Sequence, residues 1–306
     1  MSEILAMPAL RGADRPPPGV EATRMRGWLA AHKWLLLRRA SQIFFLALFL
    51  TGPLFGLWIA KGTLASSLTL GILPLTDPLI ALQSLLAGHV PEAAALTGAA
   101  IVLAAYALVG GRMYCSWVCP VNPLTDLAHW LRQRSGFDKG WQPRRDTRYW
   151  VLAAILAVSA ATGGIAWELV NPVTILHRGI VFGTLFAGFG WAVLVAVFLF
   201  DLALSRHGWC GHLCPVGAFY GLVGLGRLPR VSAFARASCD DCMDCYAICP
   251  EPQVIVPALN RRDPDASPLV MSPDCTNCGR CIDVCPRDVF RFTHCLDRST
   301  VAAGGA

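Results

Sequence analysis

CDDCMDCYAICP (residues 239–250) and CTNCGRCIDVCP (residues 275–286) are two copies of one string, C-x2-C-x2-C-x3-C-P. The first supplies Cys239, Cys242, Cys245, Cys249 and Pro250, and the second Cys275, Cys278, Cys281, Cys285 and Pro286. Thiolates at this spacing hold three corners of an iron–sulfur cube and send a fourth ligand to a second cube. The tandem therefore predicts two [4Fe-4S] clusters close enough to exchange electrons. In each run the two x2 steps keep three sulfurs in one tight loop, while the x3 step and the proline carry the fourth away. The expected ligand sets are Cys239, Cys242, Cys245 and Cys285 for one cluster, and Cys275, Cys278, Cys281 and Cys249 for the other. A zinc ribbon needs two cysteine pairs, and each run has an extra cysteine at a spacing zinc does not use. A disulfide framework is disfavoured because the flanking charge places this segment in a reducing compartment.

The remainder of the chain is apolar. Of 306 residues, 55% are hydrophobic and only 15% charged, too few charges for an ordinary soluble domain. Four uncharged stretches are long enough to cross a bilayer as helices, at residues 41–60, 93–111, 149–167 and 179–200. A fifth apolar stretch, 62–88, carries Pro74, Asp77 and Pro78 at its middle. A spanning helix there would leave a carbonyl unpaired and a carboxylate in hydrocarbon, so it reads as a re-entrant or interfacial outer segment.

Basic residues supply the orientation. Lys and Arg number seven in residues 1–42, seven in 112–148 and ten in 205–306, with only Lys61 and Arg178 elsewhere. With four spans, 24 of the 26 fall on one side, as the positive-inside rule requires. The net charge of +6 is thus an orientation signal and calls for no nucleic-acid partner. The expected fold is a mainly α membrane protein of the bacterial inner membrane, multi-pass, with both termini cytoplasmic. Its parts are a basic, partly disordered N-terminus (1–40), a four-helix transmembrane domain (41–204) with a cytoplasmic loop (112–148), a C-x3-C-P region and linker (205–230), an α+β ferredoxin-like segment (231–295) and a tail (296–306). No cleavage site follows the basic region, so 41–60 reads as a retained signal anchor, and the Arg38, Arg39 pair lacks the rest of a twin-arginine signal. The first two dozen residues, proline-rich at 16–18, read as disordered.

Four further cysteines form two copies of C-x3-C-P, MYCSWVCP at 113–120 and GWCGHLCP at 208–215. Cys115 and Cys119, and Cys210 and Cys214, follow the second and fourth spans and so arrive at one membrane face. Their i, i+4 spacing places each pair on one helical side, with the proline where the helix breaks. Small apolar packing at helix ends is the plain account. The functional accounts are ligation of a further cluster or metal, a reversible dithiol that relays electrons, or an assembly contact, and the residues leave these open.

At the outer face, Asp77, Glu168, Asn171 and His177 are candidates for a quinol site. A quinol releases two protons with its two electrons and needs a carboxylate or histidine beside an apolar slot. The alternative is structural: Asp77 capping a re-entrant helix and Glu168 a solvated helix end. Haem fits poorly, since the seven histidines lie mostly in loops and no C-x-x-C-H site occurs. No glycine-rich nucleotide fingerprint occurs, so flavin or nicotinamide would belong to a partner. Cys295 is left over as an incidental thiol.

Together these features resemble the NapH family, the ferredoxin-type membrane subunit of the periplasmic nitrate reductase system. The match runs from residue 34 to 291 and includes LRRASQ (37–42), PLTDPL (74–79), CSWVCPVNPLTDL (115–127), GWCGHLCPVGA (208–218) and the CMDC and CPEPQV phrases from 242 and 249. The outer flavin domain of the related NosR proteins is missing, and the chain stops sooner after the second cluster run than the CcoG relatives do. The resemblance implies a quinol dehydrogenase component that passes electrons from ubiquinol or menaquinol, with a NapG-like periplasmic ferredoxin, towards NapC, NapB and the reductase NapA. It also poses a difficulty. Both clusters are expected at the cytoplasmic face, whereas the implied acceptor lies outside an apolar core about 30 Å thick. A rival reading is an accessory protein for redox sensing or maturation of an oxidoreductase; another is electron entry from a cytoplasmic donor with quinone as acceptor.

Overall fold

The computed structural model describes residues 16–135, 141, 143–186, 188–260 and 266–295. The chain forms two compact units, one of Met1–Leu37 with Leu228–Ala306 and one of Arg38–Arg227. The first begins with α1 (Val20–Arg26), α2 (Trp28–Ala31) and the start of α3 (Lys33–Phe55). Residues 20–26 are thus helical rather than disordered. Glu21 in the first turn and Arg24 and Arg26 in the last suit the helix dipole. Arg26 also pairs with Asp288 and donates to the carbonyls of Ile282 at 2.9 Å and Asp283 at 2.6 Å. The earlier part of the expected disorder, residues 1–15, lies outside the described residues, as does the tail from 296.

In the second unit, α3 leads into a three-stranded antiparallel meander, β1 (Ala60–Gly62), β2 (Ser66–Thr69) and β3 (Leu73–Thr76). Asp77 then caps α4 (Pro78–Leu86), its Oδ1 accepting from the Leu79 N–H at 2.8 Å, with Pro78 in the first helical position. At a 1.5 Å rise, the nine residues of α4 cover only about 14 Å, short of an apolar membrane core of about 30 Å. α5 (Ala93–Val109) lies directly on β3, because a Cβ at Gly98 would sit 2.9 Å from the Pro74 carbonyl.

The expected cytoplasmic loop at 112–148 is largely helical where described, as α6 (Met113–Trp117) and α7 (Val121–Arg134), followed by α8 (Thr147–Thr162). Residues 136–140 and 142 of that loop lie outside the described residues. The expected span 179–200 is a correction as well. α9 (Pro172–Val181) stops, and α10 (Gly190–Leu199) starts only after Gly183 and Gly188 have taken φ +68° and +74°, values that end a right-handed helix. α10 continues as a π-helical turn, Phe200–Leu204. Within residues 205–230, the expected C-x3-C-P region and linker, a second π-helical turn, Trp209–Leu213, leads into α11 (Pro215–Val223), and the unit ends at Arg227. Among the described residues, one helix, α3, is both long and apolar enough to cross a membrane.

LRRASQ and CSWVCPVN turn out to form one polar lattice. Arg39 pairs with Asp126 and donates to Gln42 Oε1 at 2.7 Å and Asn122 Oδ1 at 3.3 Å. Ser41 and Gln42 donate to the carbonyls of Trp117 and Ser116 at 2.8 and 2.9 Å. The core of the unit gathers Leu79, Tyr114, Cys119, Leu152, Trp167, Val197, Cys214 and Tyr220.

The first unit is completed by β4 (Pro229–Ser232), paired antiparallel with β5 (Arg291–His294), and by two one-turn helices, α12 (Asp244–Ile248) and α13 (Arg280–Asp283). Val231, Val254, Ile255, Val289 and Phe290 make its core. The Asp283 carboxylate accepts from the N–H groups of Trp34 at 3.1 Å and Leu35 at 2.9 Å, and the Trp34 ring meets Phe292 edge-on at 4.5 Å.

Candidate iron–sulfur and thiol sites

The two cysteine runs fold alike. Asp241 and Asn277, each two residues after the first cysteine, have φ +57° and +48°; Met243 and Gly279, each just after the second, have φ +64° and +71°. Left-handed backbone is uncommon for a residue with a side chain, and here it recurs at matched positions to curl each loop around a centre. Cys239 Sγ faces Asp241 Oδ1 at 3.8 Å, and Cys275 Sγ faces Asn277 Oδ1 at 3.5 Å. Gly279 answers to a further demand, since a Cβ there would lie 2.6 Å from Trp34 Cγ.

The thiols group across the two runs. The charged neighbours of Cys245 are Cys242, Cys285 and Cys239. Cys239, Cys242, Cys245 and Cys285 also line one cavity of about 450 Å³, with Tyr246 and Phe290 on its apolar wall. Cys249 instead neighbours Cys278 and Cys275, and Cys281 neighbours Cys278, Cys249 and Cys275, with Cys245 of the other group behind them. Backbone N–H groups two residues on point at the sulfurs: Asp244 at Cys242, Glu251 at Cys249 and Arg287 at Cys285. Val289 N–H adds a bond to Cys285 Sγ at 3.4 Å. Burial pushes the Cys242 thiol up to about 11 and raises Cys245, Cys249, Cys281 and Cys285 as well. Such thiols are protonated at neutral pH, and loading iron displaces their protons. Among the described residues, no three His, Cys, Asp or Glu side chains gather closely enough to hold a single metal ion. Four thiols around one cavity, with backbone N–H groups aimed at the sulfurs, suit the four thiolate corners of a cube.

In the second unit, Cys115, Cys119, Cys210 and Cys214 come together: Cys115 and Cys214 are both electrostatic neighbours of Cys119, and Cys210 has the other three around it. Each second cysteine closes its turn onto the residue five before it, Cys119 N–H to Tyr114 O at 3.0 Å and Cys214 N–H to Trp209 O at 2.8 Å. The prolines that follow start the next helices, α7 and α11, instead of ending the previous ones. Arg112 and Arg148, each 2% exposed, flank the thiols. Arg112 hydrogen-bonds Cys115 and donates to the Cys210 carbonyl at 3.1 Å; Arg148 donates to the Gly211 carbonyl at 3.3 Å. Sequence reasoning counted these two arginines only as orientation charges. The available signal was Arg112 standing three residues before Cys115.

Three of the four quinol candidates meet. Asn171 caps α9 by accepting from Val173 N–H at 3.1 Å, and its amide donates to Glu168 Oε2 at 3.2 Å and Thr174 Oγ1 at 2.8 Å. Asp77, Asn171, Thr174 and Tyr114 line one small cavity, and Glu168 is a charged neighbour of Asp77. His177 is apart, buried edge-on against Phe49 at 4.6 Å. Three tyrosines, Tyr106, Tyr114 and Tyr220, stand in mutual contact at 5.0–5.9 Å between ring centroids. All three have Asp77 among their charged neighbours, and each also neighbours one or both of Cys115 and Cys119. Asp77 and the first thiol pair, Cys115 and Cys119, expected at opposite membrane faces, therefore adjoin one tyrosine trio.

A tandem of cube-shaped cysteine sites on a small α+β unit, attached to an apolar helical unit, defines a ferredoxin-type iron–sulfur protein. A 4Fe-4S dicluster domain model matches residues 238–289, and a 4Fe-4S binding domain model matches 93–137 and 183–231. The chain is 50% identical to the ferredoxin-type protein NapH of Escherichia coli, over 90% of this chain and 94% of that one. It is 54% identical to the methylamine utilization ferredoxin-type protein MauN of Methylorubrum extorquens, over 89% and 93%, and 56% identical to MauN of Paracoccus denitrificans, over 83% and 88%. The chain belongs to the NapH and MauN family of ferredoxin-type electron-transfer proteins. No solved structure matches it.

Proposed function

We propose that this protein is a membrane-embedded electron-transfer subunit that oxidises quinol. The observation that carries it is the exchange of the fourth cysteine between runs, with Cys285 among Cys239, Cys242 and Cys245, and Cys249 among Cys275, Cys278 and Cys281. These eight residues are the ligands of two [4Fe-4S] clusters, whose chemistry is to take up and release single electrons. The protein's own contribution is to exclude water by burial, to aim backbone N–H groups at the sulfurs and to hold two sites side by side.

Membrane insertion is supported by exposed apolar side chains on α3, α5, α8 and α10, among them Phe44 (58%), Leu108 (57%), Trp150 (75%) and Leu199 (51%). A soluble helix turns such residues inwards. Asp77 is the proton acceptor for the quinol, with Asn171 and Glu168 beside it. The tyrosine trio stands beside Asp77, Cys115 and Cys119 within the same unit. The test is kinetic. An anaerobic, detergent-solubilised chain mixed with a soluble quinol analogue loses its cluster absorbance. Asp77→Asn slows this by about 100-fold or more, as loss of a proton acceptor does, while bleaching by dithionite is unchanged. Equal rates for the two proteins sink the assignment of Asp77.

The downstream chain has two readings. NapH-like use sends electrons by a NapG-like ferredoxin and NapC- and NapB-like cytochromes to a NapA-like nitrate reductase. Service in methylamine utilization is the second reading, because MauN proteins match at 48–56% identity beside 49–50% for NapH proteins. Loss of growth on methylamine, but not of nitrate respiration, in a deletion strain selects the second.

A further inference from the structure

We infer that the tandem pair exchanges electrons with a soluble partner at the Cys239 and Cys242 edge of the first cluster, and that this partner is a one-electron carrier with a basic face. The two runs fold alike, yet their loops meet different surroundings. Thr276, Asn277, Gly279 and Arg280 of the second run are buried. Asn277 donates to the Pro229 carbonyl at 2.9 Å and Arg280 to the Ile248 carbonyl at 3.5 Å, while Gly279 lies so close to Trp34 that a Cβ there would be 2.6 Å from its Cγ. At the matching positions of the first run, Asp240 and Asp241 are exposed, and Met243 and Asp244 are half-buried. Asp240, Asp241, Pro257 and Asn260, all exposed, line the cavity shared by Cys239, Cys242, Cys245 and Cys285, so the cavity opens to solvent on that side. Nearer Cys285 the N-terminal segment covers the fold. Gly19 N–H donates to Asp244 at 2.9 Å, a Cβ at Gly19 would lie 3.3 Å from Val284, and Arg26 reaches the carbonyls of Ile282 and Asp283. The approach left open is the one past Asp240 and Asp241.

Charge selects the partner. In the two stretches around this cluster, residues 238–250 and 285–290, Asp240, Asp241, Asp244 and Asp288 are acidic and Arg287 alone is basic. Arg287 pairs with Asp240 at 3.2 Å, and Arg26 pairs with Asp288. Four carboxylates therefore stand against two arginines, around a cube that is itself negative when held by four thiolates. The second run has Thr276, Asn277 and Arg280 where the first has Asp240, Asp241 and Asp244. Binding a cube therefore does not demand the acids, and they belong to the loop that meets solvent. A field of this sign draws in a cationic partner and repels an anionic one, and salt screens both effects. The step moves one electron: the cluster changes by one unit of charge and the partner by the opposite unit, with no bond made or broken and no proton moved.

The inference goes beyond the quinol reading and fails separately, because its experiment starts from clusters reduced by dithionite. The full chain in non-ionic detergent, reduced and freed of excess dithionite, is mixed anaerobically by stopped flow with one of two one-electron oxidants. These are the tris(phenanthroline)cobalt(III) cation and the anionic EDTA complex of cobalt(III). Oxidation by the cation is expected to slow about tenfold as salt rises from about 10 mM to about 0.5 M, while oxidation by the anion quickens. At low salt, Asp240→Asn combined with Asp241→Asn slows the cation about tenfold and quickens the anion, with both clusters intact by EPR. The loop keeps its form in this variant, since the second run carries Asn at the position of Asp241, and Asn at 240 retains the oxygen that accepts from Cys242 N–H at 3.3 Å. A redox-inert paramagnetic cation, hexaamminechromium(III), gives the location: it speeds spin relaxation of the cluster that survives in Cys249→Ser. Wild-type rates indifferent to salt, a loaded double variant with unchanged rates, or faster relaxation of the other cluster's signal overturns the proposal. If the double variant does not load both clusters, the wild-type salt dependence and the relaxation measurement decide.

Discussion

Asp283→Ala tests how the N-terminal segment is joined to the ferredoxin fold. Asp283 is 5% exposed, and its two carboxylate oxygens accept the N–H groups of Trp34 and Leu35, the open first turn of α3. A hydrogen bond to a charged group contributes roughly 1.5–3 kcal/mol, and loss of a helix cap costs roughly 0.5–2 kcal/mol. Both amides are partly buried, so water replaces the lost acceptor incompletely, and the local cost is about 2–4 kcal/mol. At 1.4 kcal/mol per tenfold, opening of this turn becomes about 30- to 1000-fold more frequent. Hydrogen-exchange mass spectrometry of a peptide covering residues 33–37 reads that change directly, with α8 as the unaffected reference. Asp283→Asn retains one acceptor and shows roughly half the effect in free energy. Unchanged exchange in Asp283→Ala, with both ferredoxin clusters loaded, refutes the cap as the join.

Cys249→Ser, on crossed ligation, damages the cluster of Cys275, Cys278 and Cys281 and spares the other; EPR showing loss of only the first-run cluster contradicts the exchange. Gly111→Ala would put a Cβ 1.7 Å from the Tyr220 carbonyl and 3.0 Å from the Gly224 amide nitrogen, both backbone, so α11 must move. The expected loss is about 3 kcal/mol or more, seen as a lower thermal midpoint in detergent; an unchanged midpoint refutes this packing. The raised thiols of Cys242, Cys245, Cys249, Cys281 and Cys285 must give up protons to bind iron. Reconstitution therefore releases protons at pH 7 and gains affinity as pH rises towards the pKa of about 11 of Cys242, and a pH-independent affinity contradicts it.

The cysteine strings were legible because ligand spacing is local: a cube imposes C-x2-C-x2-C on one loop, whatever surrounds it. α5 and α8 were legible too, as uninterrupted apolar runs. The break between α9 and α10 was not, because residues 182–189 are as apolar as the helices beside them and only the conformations of Gly183 and Gly188 reveal the stop. Proline in the Cys-Pro steps was misplaced for a related reason, since it suits the start of a helix as well as the place after its end. Asp77 illustrates the harder limit. Its capping role was foreseen, but its nearness to the tyrosine trio beside the thiols depends on how the 62–88 segment folds back, and that is a long-range packing result. Arg112 and Arg148 were hidden by their own statistics, counted with solvated arginines until burial set them apart.

The most direct test of quinol oxidation by a cluster pair is an anaerobic redox titration of the full chain followed by EPR. The expected result is two magnetically interacting cluster signals on the eight tandem cysteines, at least one of them reduced by a soluble quinol analogue. Clusters that dithionite reduces but no quinol can, at potentials far below the quinol couple, would contradict the account.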